Sequence, residues 1–549
     1  MRSRSLHIPR ATPLFLLAAA GYLAVGLYLA LGVGYLQGDA LSRVADTRAA
    51  LLSRDPHLAA IGFIFTPLTA LAQLPLVWLS EWFPQLTRWG LTSIAVSAPA
   101  MAGAVVQVHA IARERRCPAW MTWLLTAAFA LHPMIIYYGA NGMSEALFVF
   151  FVVWAVRRLV RWMTTDDVHD LIVAGLALGL AYLTRYDALA ATGTATLLVA
   201  AVAWYRSRRG AVAVLDGLLV AAPTVLAFVV WSATSWLITG SALAQFSSRY
   251  GNAAILEQSG GGSAGGLEAI AFSAAEIIVT APALALVGAV CVTLAARRRD
   301  PEPLALLLPL AVLAFATLAY LRGLTFPFLR FYIIAVPLLV LCAVFLAPRH
   351  GRMRARRPGP RPVDRADDPS RWTAPVSAIA VLAVVAGLPV SAAAMLSPEL
   401  SQEQHALHAA ILPRLGYSDP ELRREQEAII ASFDTERRIA EYLDSLGLDD
   451  GSVILDTMQG FPIIASTSHP QTYVIPSDRD FVTALNDPGA HGIEYLLTVP
   501  DEGRGAADAL NLRYPTIYEN GSGFASLEAE VVNSGHDRPT WRLWRVVGS

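Results

Sequence analysis

Up to position 396 the chain is organised by long, uninterrupted apolar runs rather than by the alternating or three-to-four spacing of a soluble surface. Eleven such runs fall at 12–35, 90–112, 119–138, 145–161, 169–186, 188–205, 212–238, 267–295, 303–321, 327–347 and 374–396. A helix of about 20 apolar residues crosses the roughly 30 Å hydrocarbon core of a bilayer, so each run predicts a transmembrane helix. The first is too long for the apolar core of a secretory signal and counts as a span. A twelfth apolar stretch, 59–80, is interrupted by Pro67, Gln73 and Pro75.

Charge decides the status of that stretch. If 59–80 does not cross, the arginine clusters at 113/115/116, 157/158/161, 206/208/209 and 297/298/299 fall on one side, with Arg2, Arg4, Arg10 and the basic linker 348–372. The excess of basic residues on cytoplasmic loops makes that side the cytoplasm. If 59–80 crosses, every later cluster flips while the first stays. The stretch is therefore expected to lie on the outer surface as a juxtamembrane element.

Composition agrees. The 549 residues are 55% hydrophobic and 15% charged, against about 25% charged in soluble domains. A formal net charge of −1 gives no basic excess to hold nucleic acid. No lysine occurs, so all 42 Lys/Arg positions are arginine. Cys117, Cys291 and Cys342 lie in or beside apolar runs, without the spacing of a zinc or redox site.

Beyond 396 the composition becomes that of a soluble domain. Ser418-Asp419-Pro420-Glu421 resembles a capping box. Ile439, Tyr442, Leu443 and Leu446 recur at helical spacing up to Gly447 and Gly451, and strand-like runs follow at 452–456, 473–476, 494–499 and 541–547. The expected fold class is a polytopic α-helical membrane protein of about 11 transmembrane helices, with outer juxtamembrane helices and a C-terminal extracytoplasmic α/β domain. Its expected division is a transmembrane catalytic part at 1–347, a Pro/Arg-rich cytoplasmic linker at 348–372, a last transmembrane helix at 373–396 and a soluble domain at 397–549.

Ionisable residues cluster at the outer ends of the spans, where charge is costly and faces a cavity or a partner. Asp39, Arg43 and Asp46, at i, i+4 and i+7 just after span one, share one helix face. Glu145 opens span four, where the helix dipole favours its charge. Arg185 and Asp187 sit in the tight reversal after span five, and Arg330 and Tyr332 open span ten. His57 and His132 lie near the same face. Plainer readings stand beside these: an Asp39–Arg43 surface pair, an Arg185–Asp187 structural pair, a snorkelling Arg330 and an interfacial Tyr332. The glycine-rich run 259–266 follows no strand and reads as a loop.

In order and topology these segments resemble the GT-C glycosyltransferase superfamily, which includes protein O-mannosyltransferases, the lipid A aminoarabinose transferase and actinobacterial mannosyl- and arabinosyltransferases. The resemblance rests on Gly38-Asp39 after span one, a large first outer loop with two juxtamembrane helices, His132-Pro133 through Ser144-Glu145-Ala146-Leu147-Phe148, Gly179 to Arg185, and Arg330-Phe331-Tyr332. It covers roughly 12–347. It implies a GT-C-like fold and an inverting transferase using a polyprenyl-phosphate-linked sugar, such as mannose or another hexose or pentose. Asp39 would be the general base, Arg185 and Arg330 would hold the phosphate, and Glu145 would position a substrate. The remaining candidates, Arg43, Asp46, His57, Asp187 and Tyr332, would bind substrate.

The acceptor would be a lipid, glycan or protein hydroxyl outside a bacterial plasma membrane. Many relatives carry an acidic pair where this chain has Asp39-Ala40 and a single Glu145. A divalent cation, magnesium or manganese, is compatible with Glu145 but not required by the sequence. A lipid or polysaccharide flippase and a non-catalytic membrane scaffold are the alternative readings.

Overall fold

The computed structural model describes residues 11–244, 266–347, 373–397 and 420–547, together with Leu407 and Ala410. The linker 348–372, the glycine-rich run apart from Gly266, and Ser418-Asp419 of the capping box lie outside the described residues. Among the described residues, seven helical units are long and apolar enough to cross a membrane: Thr12–Val33, Leu91–Glu114, Ala188–Ser207, Gly210–Thr239, Glu302–Leu321, Leu329–Leu346 and Ala374–Met395. Two bent pairs raise the number to nine, Ala119–Ala130 with Pro133–Ala140 at 55° and Leu267–Thr280 with Leu284–Arg298 at 82°. Pro133 and Pro282 stand at those breaks, where a missing N–H and a ring clash interrupt the helix.

Glu145–Thr165 and Val168–Tyr182 complete the eleven expected segments. The chain is a multi-pass membrane protein. Its outward side chains are apolar, as at Leu17, Leu197, Leu226 and Leu237, while small and medium residues such as Ala98, Met101, Val105, Ala146 and Val149 fill the bundle interior. Lipid facing the bundle removes any need for a polar exterior.

Ion pairs fix the parity of the spans. Asp39 pairs with Arg330, and Glu145 with Arg185. Two spans separate Asp39 from Glu145, two separate Glu145 from Arg185, and four separate Asp187 from Arg330, so all these residues stand at one end of the bundle only if 59–80 does not cross. Residues 58–88 instead form short 3-10 and α turns at Leu58–Ile61, Leu68–Leu71, Leu74–Trp78, Leu79–Glu81 and Gln85–Arg88. Among the described residues the first outer loop holds one continuous juxtamembrane helix, Gly38–Leu52, where two were expected. The prolines break the second into these turns. Leu68 N donates to Leu183 O at 2.8 Å and Tyr186 Oη to Ile64 O at 3.0 Å, which stitches the broken segment to the end of span five.

The arginine clusters gather at the opposite end. Arg115, 1% exposed in its side chain, is bonded to Asp300 at 2.6 Å and also to Glu302. Arg157 pairs with Glu114, Arg158 with Asp170 and Arg206 with Asp166.

The C-terminal region holds a five-stranded sheet in the order β2-β1-β3-β5-β4, with β1 Val453–Ile454, β2 Tyr473–Val474, β3 Tyr495–Thr498, β4 Ala525–Val531 and β5 Trp541–Val546. β1 runs parallel to β2 and β3, whereas β5 is antiparallel to β3 and β4. Strand β4 was not expected from the sequence, because its mostly exposed edge carries Ser526, Glu528 and Glu530 rather than an apolar run. The helix Asp434–Ser445 buries Ile439, Ala440 and Leu443, while Tyr442 and Leu446 of the expected stripe are largely exposed.

Candidate active site

The juxtamembrane helix Gly38–Leu52 is the platform. Its N-terminus follows directly on span one, so Asp39 lies in the first turn, where the helix dipole stabilises a carboxylate. Arg330 Nη1 donates to Asp39 Oδ2 at 3.0 Å. Arg330 Nε lies 3.9 Å from Glu145 Oε1, which accepts from Arg185 Nη1 at 2.6 Å. Arg185 Nε in turn donates to Asp187 Oδ2 at 2.8 Å. The candidates thus form one alternating chain, Asp39–Arg330–Glu145–Arg185–Asp187, drawn from four separated segments.

Within that chain the groups differ. Glu145 is 1% exposed and its Oε2 has no hydrogen-bond partner among the described residues, so it has acceptor capacity to spare. The Asp39 side chain is 39% exposed. Burial alone would raise the Asp39 pKa, but Arg330 and Arg43, the hydrogen bond from Arg330, and Arg504 together hold it below the ordinary carboxylate value. Asp39 is therefore ionised at neutral pH.

Arg43 is buried and has no carboxylate within ion-pair distance among the described residues. Its Nη1 donates to the Asp39 main-chain oxygen at 3.2 Å, and its guanidinium lies 4.3 Å from the centre of the Phe65 ring. Burial lowers its pKa, opposed by Asp39 and Glu145. Asp46, on the same helix face, makes no hydrogen bond or ion pair among the described residues. Burial pushes its pKa up to about 8, against the pull of Arg43.

His57, Tyr332 and His132 stand apart from these groups. His57 lies beyond the far end of the platform helix, with Nδ1 2.6 Å from Asp55 O. Tyr332 faces into the bundle, its hydroxyl 2.7 Å from that of Ser273. His132 caps Pro133–Ala140 by accepting from Met134 N, and its Nε2 is 3.1 Å from Thr280 O. An aromatic wall escaped the sequence reading. Phe331 lies 5.3 Å from both Arg185 and Arg330, Phe328 lies 5.1 Å from Arg330, and Phe148 lies 5.8 Å from Arg185. The signal was present in Phe326-Pro327-Phe328-Leu329-Arg330-Phe331, where rings flank the arginine.

Among the described residues no group of three or more His, Cys, Asp or Glu converges as metal ligands. Asp39 and Glu145 are each engaged by guanidinium groups.

No protein-family model matches the sequence, and no curated protein does. Among solved structures, ArnT from Cupriavidus metallidurans bound to undecaprenyl phosphate aligns over 97% of this chain and 97% of its own, with a TM-score of 0.51 and 14% identity. The oligosaccharyltransferase AglB from Archaeoglobus fulgidus, in complex with an inhibitory peptide and a dolichol-phosphate, aligns over 98% of this chain and 74% of its own, with a TM-score of 0.43 and 11% identity. The first likeness is one of fold: this chain has a polytopic, GT-C-like fold with a small C-terminal sheet region.

Proposed function

We propose that the protein is a membrane glycosyltransferase that moves a sugar, mannose or another hexose or pentose, from a polyprenyl-phosphate donor to an acceptor hydroxyl. The observation that carries this reading is the buried Arg43, without a carboxylate partner, beside the Asp39–Arg330 pair at the membrane end of the bundle. A guanidinium is built to take phosphate oxygens, and an ionised carboxylate beside it is built to take a proton. The fold shared with ArnT supports the donor class, since that protein is bound to undecaprenyl phosphate.

In this mechanism Arg43 takes the donor phosphate, with Arg330 and Arg185 flanking it. Asp39 accepts the proton of the acceptor hydroxyl as its oxygen bonds to the anomeric carbon. The bond from that carbon to the phosphate oxygen breaks, and polyprenyl phosphate leaves with the electron pair. Attack opposite the leaving group inverts the anomeric centre. Phosphate draws on the positive charge that depresses Asp39, so donor binding makes Asp39 a stronger base. Glu145 holds Arg185 and Arg330 in place and offers Oε2 to a sugar hydroxyl, with Asp187 behind it. The site end of the bundle is the extracytoplasmic face of a bacterial plasma membrane, because the arginine-rich loops lie at the other end. The segment 1–347 with the helix 373–396 carries the chemistry, and the domain 397–549 covers it.

The test uses the full chain in lipid nanodiscs with a panel of radiolabelled undecaprenyl-phosphate sugars and membrane extract as acceptor. Label should move from one lipid donor and not from nucleotide sugars. Transfer from a nucleotide sugar alone, or lipid translocation without transfer, overturns the reading.

A further inference from the structure

A small cavity lies against the first turn of the platform helix, between the outer ends of spans one and two and the turn that follows Pro133–Ala140. Leu29, Leu41 and Ile94 give it apolar walls, and Gln37, Ser93 and Asn141 give it polar ones. Among the described residues no charged side chain lines it. Gln37 and Ala40, which bracket Gly38-Asp39 in the chain, both face it.

Asn141 is the residue that marks this cavity. It is 8% exposed, and its Nδ2 has no hydrogen-bond partner among the described residues. Nor is the amide free to turn toward one, because its Oδ1 accepts from Met143 N at 3.1 Å. The surrounding turn is clamped. Ser97 Oγ donates to Gly139 O at 3.0 Å and accepts from Gly142 N at 3.2 Å. Gly142 has φ +79°, and a Cβ there would stand 2.1 Å from Ser93 Oγ. Met143 Sδ lies 4.0 Å from Arg43 Nη1, so the same turn touches the arginine assigned to the donor phosphate. Gln37 spends its amide oxygen on the hydroxyls of Tyr35 and Tyr137. Both amides therefore have N–H groups, not oxygens, left to offer. A buried N–H without an acceptor is costly.

These walls select their occupant. A phosphate or carboxylate would find no cation on them, and an acyl chain would leave the buried N–H unpaired. We propose that the cavity is a subsite for the hydroxymethyl arm of a neutral hexose unit in the acceptor, with Asn141 as its specificity-determining residue. The carbon of that arm rests on Leu29, Leu41 and Ile94, and its oxygen accepts from Asn141 Nδ2. Ser93 Oγ, which donates to Gly90 O at 2.7 Å, keeps lone pairs for the hydroxyl proton. The inference rests on the transferase reading and narrows its acceptor to a hexose-bearing glycan. Because Gln37 and Ala40 flank Gly38-Asp39, a hexose anchored here leads the rest of the acceptor past the helix end that carries the base.

The experiment titrates the full chain, in nanodiscs containing undecaprenyl phosphate, with the methyl glycosides of mannose, glucose and galactose, each beside its 6-deoxy analogue. Saturation-transfer NMR reads the binding. In at least one pair the hexose should bind about tenfold more tightly than the analogue, the scale of one buried hydrogen bond. Asn141→Ala should erase that preference by removing the donor. Ala40→Val should erase it by narrowing the cavity with Asn141 in place, and Arg545→Ala, exposed on β5, should keep it. Undecaprenyl phosphate binding, measured by native mass spectrometry, should be the same in all four proteins. A wild type with no preference in any pair overturns the proposal. So does a preference that survives Asn141→Ala or, should that variant fail to fold, one that survives Ala40→Val. Loss of undecaprenyl phosphate in folded Asn141→Ala overturns it too, by assigning the amide to the donor. Failure of the wild type to bind undecaprenyl phosphate counts instead against the transferase reading.

Discussion

Arg330 and Asp39, 291 positions apart in sequence, meet in a 3.0 Å hydrogen bond between Nη1 and Oδ2. That bond joins the start of one span to the helix that follows another, and it leaves the acid's charge offset but partly open to solvent. Asp39→Asn removes the proton acceptor and keeps the shape. Transfer should fall roughly a hundred- to ten-thousand-fold, while undecaprenyl phosphate binds at least as tightly, because Arg330 is released. Undiminished transfer by Asp39→Asn would remove Asp39 from the base role.

Among the described residues Arg43 has no rival carboxylate within ion-pair distance. Arg43→Ala should weaken undecaprenyl phosphate binding about tenfold or more. Arg43→Lys should restore only part of it, since an ammonium lacks the planar fork. Native mass spectrometry of the lipid-bound protein gives both values, and unchanged affinity in Arg43→Ala would move the phosphate elsewhere.

Asp46 gives the site a pH dependence of known sign. Its pKa is pushed up to about 8 by burial, against the pull of Arg43. Below that value it is neutral and Arg43 keeps its full positive charge. As pH rises through it, Asp46 ionises and competes with phosphate for Arg43. Donor KM should therefore climb on the alkaline side, and Asp46→Asn should flatten that limb. A limb that persists in Asp46→Asn belongs to another group.

The far end of the bundle carries a stability prediction. Arg115 is enclosed by Asp300 and Glu302, with all three side chains 4% exposed or less. Arg115→Leu removes the guanidinium that both buried carboxylates share and should cost about 3–5 kcal/mol. Thermal unfolding in nanodiscs should register a lower midpoint, with undecaprenyl phosphate affinity preserved at temperatures where the variant remains folded. A midpoint equal to the wild type's would mean the triad contributes nothing.

Raising the pH above the ordinary carboxylate value should loosen the C-terminal domain. Burial, with repulsion from Asp456, raises the Asp508 pKa well above its ordinary value. The folded domain holds this proton more tightly than the unfolded chain. The stability it contributes is complete below the ordinary value of 3.8 and is lost as pH rises through the folded value. Asp508→Asn keeps the acceptor for Leu510 N without the titration. Above pH 3.8 its unfolding midpoint should depend less on pH than the wild type's, and parallel profiles would exclude the pair.

The sequence alone determined the spans, because crossing hydrocarbon demands a length and a polarity that no other environment imposes. It also determined which ends hold the arginines, and from them the interfacial place of 59–80, which the ion pairs across the bundle independently require. Asp39, Glu145, Arg185 and Arg330 were legible as costly charges at span ends. Which of them touch was not, because contact between residues hundreds of positions apart depends on how helices pack. Tertiary structure alone separated the paired Arg185 and Arg330 from Arg43, turned Tyr332 toward Ser273 and left His57 at the wrong end of its helix. It alone packed the helix Thr457–Ser466 against the platform helix Gly38–Leu52. Neither helix carries a pattern that marks the other as its partner, because contact between distant segments depends on docking rather than on local spacing.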